Sequence, residues 1–142
     1  MALNVLVVDD SAVMRAMVIK TLRLCRLPLG EIHQAANGAE ALHLLDTHWI
    51  DLALIDINMP VMDGEELLAR IRRHPELAQL PVIVVSTEGS ETRIATLRQH
   101  GAAFVHKPFT PEDLRATILA MTGVTYEEHL DSSTPASSGP DF

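Results

Sequence analysis

Two hydrophobic periods alternate along this chain, and that alternation constrains the fold more than any other feature. Short β-rich apolar runs occur at Val5–Val8, Ile32–Ala35, Leu52–Ile55, Val82–Val85 and Ala103–His106. The stretches between them carry apolar residues at helical spacing; in the first these are Val13, Met14, Met17, Val18 and Leu22. A strand can return parallel to its predecessor only through a crossover, so repeated strand–helix units predict a parallel sheet with helices on its faces. The first, third and fourth runs are apolar nearly throughout, as strands covered on both faces are. The expected fold is therefore α/β: a three-layer α/β/α sandwich around a doubly wound, five-stranded parallel sheet.

Composition bounds the rest. A chain of 142 residues is one domain's worth and can bury a real core without staples. Hydrophobic residues make up 47% but aromatics only 4%, so the core is expected to be aliphatic. The net charge of −8 argues against a nucleic-acid surface, which needs clustered Lys and Arg; excess acid can also simply serve solubility. The single cysteine, Cys25, permits no intrachain disulfide and falls on the apolar stripe Met14, Val18, Leu22 as a core residue. The seven histidines lack ligand spacing. The start MALNVLVVDD has no basic segment before its apolar run and does not read as a signal peptide. No run approaches the ~20 apolar residues of a membrane span. A cytoplasmic protein, with no membrane partner, is the expectation.

Helix ends are well marked. Asp63-Gly64-Glu65-Glu66 resembles a capping box, with Asp63 as cap and Glu66 reaching back. Thr110-Pro111-Glu112-Asp113 places a capper before a proline, with acids in the first turn. Gly101 and Gly123 suit helix C-termini. Beyond the last helix the pattern stops: residues 123–142 are acidic and rich in Ser and Pro, and read as a flexible tail after a domain at 1–122.

Acids stand at the ends of two apolar runs. Asp9 and Asp10 follow the first, and Asp56 follows the third. In open α/β sheets ligands bind beyond the carboxyl ends of the strands, where the winding reverses. In the strand order 2-1-3-4-5 the first and third strands are neighbours about 5 Å apart, so the three carboxylates converge. Two unit charges 4 Å apart at an effective dielectric near 20 interact by about 4 kcal/mol, so such a cluster must take up a proton, find a lysine or bind a cation. An all-oxygen donor set suits Mg²⁺. Ser86 ends the fourth run and Lys107 follows the fifth, bringing a hydroxyl and an ammonium to the same edge. Metal, hydroxyl and ammonium around a carboxylate make a site for a phosphoryl group. Taken singly, Asp9, Asp10 and Ser11 could cap a helix, Asp56 could open a turn, Lys107 could be a surface lysine and Phe104 core filler. A cap, however, has no reason to sit beside the other acids and a lysine.

Asp9-Asp10, Asp56 within DINMPVMDG, Ser86 and Lys107-Pro108 together resemble the receiver domain of two-component response regulators, above all its single-domain, CheY-type members, over about residues 3–122. The resemblance implies that Asp56 accepts a phosphoryl group from a phosphohistidine. Asp10 and Asp56 would bind Mg²⁺ directly, with the backbone carbonyl of Asn58, and Asp9 through a water. Lys107 and Ser86 would meet phosphoryl oxygens. Phe104 would rotate inward as the Ser86 loop shifts, changing the face of the fourth helix, fifth strand and fifth helix that a downstream protein target reads. Asn58 and Glu88 would tune dephosphorylation, in a pattern matching short-lived chemotaxis signals. A sensor histidine kinase or a histidine phosphotransfer protein is the implied donor. Two departures are notable: Phe104 stands where motor-binding regulators usually have Tyr, and Ser86 where Thr is commoner. Trp49, the sole tryptophan, lies roughly 20 Å from Asp56 at ~3.3 Å per residue and should report metal poorly.

Three rivals share parts of this pattern. A haloacid-dehalogenase-type phosphatase would carry Asp-x-Asp after the first strand, where this chain has Asp9-Asp10-Ser11. A flavin binder would need a hydroxyl- and Gly-rich loop there. A phosphorylation-independent binding module would usually lack one of the acids or the lysine. Within the family, target docking and phosphorelay shuttling both remain open.

Overall fold

A computed structural model describes residues 2–57, 59, 62–87 and 91–123. Its strands are β1 (Leu3–Val8), β2 (Leu29–Ala35), β3 (Leu52–Ile55), β4 (Val82–Ser86) and β5 (Ala103–His106). They alternate with α1 (Ala12–Arg23), α2 (Gly38–Thr47), α3 (Gly64–Arg73), α4 (Glu91–Gln99) and α5 (Pro111–Thr122). All strand pairs are parallel, as the alternating periods predict, and the order is β2-β1-β3-β4-β5, the doubly wound order expected.

Strand alternation splits the core in two. Val5 and Val7 of β1, Leu52 and Leu54 of β3, and Ile83 and Val85 of β4 pack on Val18 and Leu22 of α1 and Leu114 and Ile118 of α5. Their neighbours Leu6, Val8, Ala53, Ile55, Val82 and Val84 pack on Ala41 and Leu45 of α2, Leu67, Leu68 and Ile71 of α3, and Leu97 of α4. The period of two along each strand thus serves both helical layers, which explains why β1, β3 and β4 contain almost nothing polar.

The structure also revises several expectations. β1 begins two residues before Val5, and β2 begins three before Ile32. The added start of β2, Leu29-Gly30-Glu31, interrupts the apolar run with a glycine and a glutamate on an edge strand, where apolar content is no guide; the Asn4 side chain holds it by accepting the Glu31 N–H at 2.9 Å. Val13 and Met17 keep helical spacing but are 71% and 56% exposed; the stripe facing the core runs through Val18, Leu22 and Cys25. At α3, Asp63 caps as expected by accepting the Glu66 N–H at 2.9 Å. Glu66 does not reach back; its carboxylate pairs with Arg70 one turn on, at 2.8 Å. The complete capping box is on α5, where Thr110 and Asp113 exchange side-chain bonds of 3.1 Å and Pro111 opens the helix. Gly123 closes α5 in the left-handed conformation, φ +74°, which a Cβ would disfavour.

Candidate functional site

The ladder does not stop where the strands end. Val8 lies opposite Ala35 on one side and Ile55 on the other. One residue further, the Asp9 N–H donates to the Ala35 carbonyl at 3.1 Å and the Asp56 N–H to the Val8 carbonyl at 2.9 Å. At the other side of β4, Ser86 pairs with His106, and the Lys107 N–H donates to the Ser86 carbonyl at 2.9 Å. Backbone pairing alone therefore brings Asp9, Asp56, Ser86 and Lys107 to one edge of the sheet.

Local capping determines which carboxylates face outward. Ser11, not an aspartate, caps α1: its Oγ accepts the Met14 N–H at 3.2 Å. One oxygen of Asp9 accepts the Ser11 N–H at 2.9 Å. Its other oxygen lies 3.8 Å from Lys107 Nζ. The same ammonium stands 4.0 Å from Asp56 Oδ1. Carboxylate oxygens of Asp9, Asp10 and Asp56 all lie within 4.8 Å of one another, spanning buried, exposed and half-buried positions. The floor beneath is apolar, made by Val7, Val18, Leu54 and Val85.

Burial is the largest influence on Asp9 and pushes its pKa up; the Ser11 N–H and the Lys107 charge pull it down, and Asp10 adds to the rise. A buried carboxylate with a lysine beside it and two more acids at hand favours added positive charge. The donor set is wholly oxygen, with no cysteine or histidine in it, so the residues fit a hard divalent cation such as Mg²⁺.

The remaining predicted residues fall as follows. Ser86 is buried at the end of β4, next to Lys107. Phe104 is half-buried against the core beneath α4, its ring edge-on to His106 at 5.8 Å. Asn58 and Glu88 lie outside the described residues. Trp49 is 78% exposed at the opposite edge of the sheet, its indole N–H on Asp51 at 2.8 Å.

Two features escape sequence reasoning. A Cβ on Gly64 would stand 2.6 Å from Ile57 Cα and 2.7 Å from the Asp56 carbonyl oxygen, so the first residue of α3 presses on the backbone that carries Asp56. Its N–H donates to the Ile57 carbonyl at 2.9 Å. A glycine beside a capping aspartate is the only signal, and it reads equally well as helix-start composition. Arg93 of α4 also reaches the start of α3, with Nε 2.7 Å from Glu65 and a guanidinium nitrogen 3.7 Å from Asp63. Nothing in the sequence pairs residues so far apart.

The family model for the response regulator receiver domain matches residues 5–119. The chain belongs to that family. This receiver is similar to the chemotaxis protein CheY1 of Helicobacter pylori, at 34% identity covering 85% of this chain and 98% of that one. It is equally similar to the Vibrio cholerae chemotaxis protein CheY4, at 34% identity and a TM-score of 0.75, covering 85% of this chain and 99% of that one. A chain in the CheX–CheY–BeF3–Mg²⁺ complex of Borrelia burgdorferi matches at 29% identity and a TM-score of 0.75, covering 83% and 87% of the two chains. The receiver is thus a CheY-like signalling domain of the two-component type, with an Asp cluster of the kind at which receivers bind Mg²⁺. No described helix is long and apolar enough to cross a membrane.

Proposed function

We propose that this receiver accepts a phosphoryl group on Asp56 from a phosphohistidine and passes the signal on through its surface. The observation that carries the reading is the convergence of Asp9, Asp10 and Asp56 with Lys107 3.8 Å and 4.0 Å from two of them. An oxygen of Asp56 attacks phosphorus; the phosphorus–nitrogen bond breaks, its electron pair returns to the imidazole, and an acyl phosphate forms. Mg²⁺, held by Asp10, Asp56 and the Asn58 carbonyl directly and by Asp9 through water, would offset the negative charge of the acids and of the phosphoryl oxygens. Lys107 is near enough to follow that charge from carboxylate to phosphoryl oxygen. Ser86 supplies a hydroxyl to another oxygen, and Phe104 moves with it, altering the face of α4, β5 and α5 that a protein target reads. The transfer and the later hydrolysis are self-catalysed; the receiver turns over no separate substrate.

The donor is a sensor histidine kinase or a histidine phosphotransfer protein, and the setting is the cytoplasm. The CheX–CheY–BeF3–Mg²⁺ complex supports the reading, since in it a CheY is found together with CheX, a divalent metal and beryllium fluoride. Asn58 and Glu88 are assigned to tuning the lifetime of the acyl phosphate, which should be short. Residues 1–122 form the receiver, and 123–142 a tail outside it.

Beryllium fluoride with Mg²⁺ tests the site without needing a donor. A bound fluorine NMR signal that requires Mg²⁺ and is lost in Asp56→Asn is the expected result. A bound signal that survives in Asp56→Asn would place the acceptor elsewhere.

A further inference from the structure

The end of the sheet opposite the acids carries a second polar feature that phosphoryl chemistry does not use. Arg72 of α3 is partly buried there, and among the described residues its guanidinium bonds carbonyl oxygens alone: His100 at 2.6 Å, Leu80 at 2.8 Å and Leu77 at 3.4 Å. Burial pulls its pKa down, and among the described residues no carboxylate forms an ion pair with it. A guanidinium withdrawn from water without a counter-ion favours an incoming carboxylate.

Beside it lies a groove of about 410 Å³, lined by Arg72, Gln79, Leu80, Gln99, His100 and Met121 among others, with no Asp or Glu in its walls. In a chain of net charge −8, this groove presents an arginine and a histidine and no acid to an incoming segment. Met121 is in the last turn of α5, and Gly123 follows in a left-handed turn. What comes next in the sequence is VTYEEHLD, with Glu127, Glu128 and Asp131; residues 124–142 contain four acids and no Lys or Arg. The eight residues 124–131 reach about 26 Å when extended, at ~3.3 Å each. The groove that Met121 itself lines is within that reach.

We propose that the acidic stretch Tyr126–Asp131 of this same chain docks in the groove at the N-terminal end of the sheet, with a glutamate carboxylate on Arg72 and the Tyr126 ring and Leu130 against Leu80 and Met121. A short tether gives such a segment a millimolar effective concentration at the groove, which a separate acidic peptide must match to compete. Charge complementarity and the exit point of α5 select this occupant. The inference does not rest on the phosphoacceptor reading, because the groove and the acids are at opposite ends of the sheet.

The test uses the full chain, ¹⁵N-labelled, with a nitroxide on Ser132→Cys. The native Cys25 does not interfere, being fully buried with its thiol pushed up to about 11 by burial. Paramagnetic broadening strongest at the amides of Gln79, Leu80, Gln99, His100, Gly101 and Met121, which line the groove, and weak at the acid end of the sheet, is expected. Glu127→Gln with Glu128→Gln should reduce the docking equilibrium constant by roughly 1.4-fold to fivefold for each ion pair removed, and the broadening with it. About 1 M salt, with a Debye length near 3 Å, should act in the same direction. Both substitutions lie beyond α5, so the rest of the spectrum reports whether the fold is intact. Broadening that is absent, spread evenly, centred elsewhere or indifferent to charge would overturn the proposal. So would broadening of ¹⁵N-labelled chains by spin-labelled, unlabelled ones, which would make the occupant a second copy.

Discussion

Asp9 illustrates how a site residue differs from a structural one. It is 4% exposed, yet its neighbours on two sides are acids, and its partners are one backbone N–H and one lysine. A buried acid whose pKa is raised binds its proton more tightly folded than unfolded. Its contribution to stability is therefore present at low pH and is lost as pH rises through the folded value. Asp9→Asn retains an oxygen for the Ser11 N–H and removes the charge. It should raise the melting temperature of the metal-free protein at neutral pH, by about 2–4 °C per kcal/mol relieved, and flatten the decline in stability above the ordinary carboxylate range. Thermal melts of both proteins across pH, without divalent metal, check this; a lower melting temperature for the variant at neutral pH would contradict it. Lys107→Met should leave the fold intact, because methionine fills much of the volume of the largely buried lysine stem, but should cut phosphoryl transfer on Asp56 by tenfold or more if about 1.4 kcal/mol of the transition state's charge stabilisation is lost. Single-turnover transfer rates, measured beside thermal melts, separate those two effects.

Elements position these residues through backbone contacts. α3 begins against the peptide carrying Asp56, and Gly64 is there because a side-chain carbon would collide with the Asp56 carbonyl and Ile57 Cα. Neither obstacle is a flexible side-chain tip, so Gly64→Ala must displace the backbone at Asp56–Ile57 or the helix, at a cost on the order of 1–3 kcal/mol. The matching expectation is a lower melting temperature together with weaker Mg²⁺ binding. Thr110→Ala, which breaks the capping box of α5, should cost about 1 kcal/mol and leave metal affinity unchanged. Comparing the two variants in denaturant melts and Mg²⁺ titrations distinguishes an element start that serves the site from one that serves only stability. The sequence revealed strand cores, the α5 cap and the core stripe of α1 through Val18 and Leu22, because these rest on local periodicity and short-range hydrogen bonding. It missed the start of β2 at Leu29-Gly30-Glu31, the outward set of Val13 and Met17, and the Glu66–Arg70 pair. Those depend on which face another element covers, or on which of two nearby partners wins.

At the scale of the molecule, the strand order brings Asp9, Asp10, Asp56, Ser86 and Lys107 to one edge although they are spread over about a hundred residues of chain. That convergence was legible because every member follows an apolar run, and a parallel sheet gathers the ends of its strands on one side. The close approach of Gly64 to the Asp56–Ile57 backbone and the reach of Arg93 from α4 to α3 were not legible, since no local pattern encodes how one element is set against another. The same geometry puts the exposed Trp49 at the other edge, so saturating Mg²⁺ should leave its emission essentially unchanged; marked quenching would mean metal binds elsewhere or that the edges are coupled. The most direct measurement is intact-protein mass after brief incubation with Mg²⁺ and a small phosphodonor, for wild type and Asp56→Asn side by side. One added phosphoryl group on the wild type and none on the variant is the result expected. A phosphoryl group carried equally by both, or a wild type that takes up none and forms no beryllium fluoride complex, would contradict Asp56 as the acceptor.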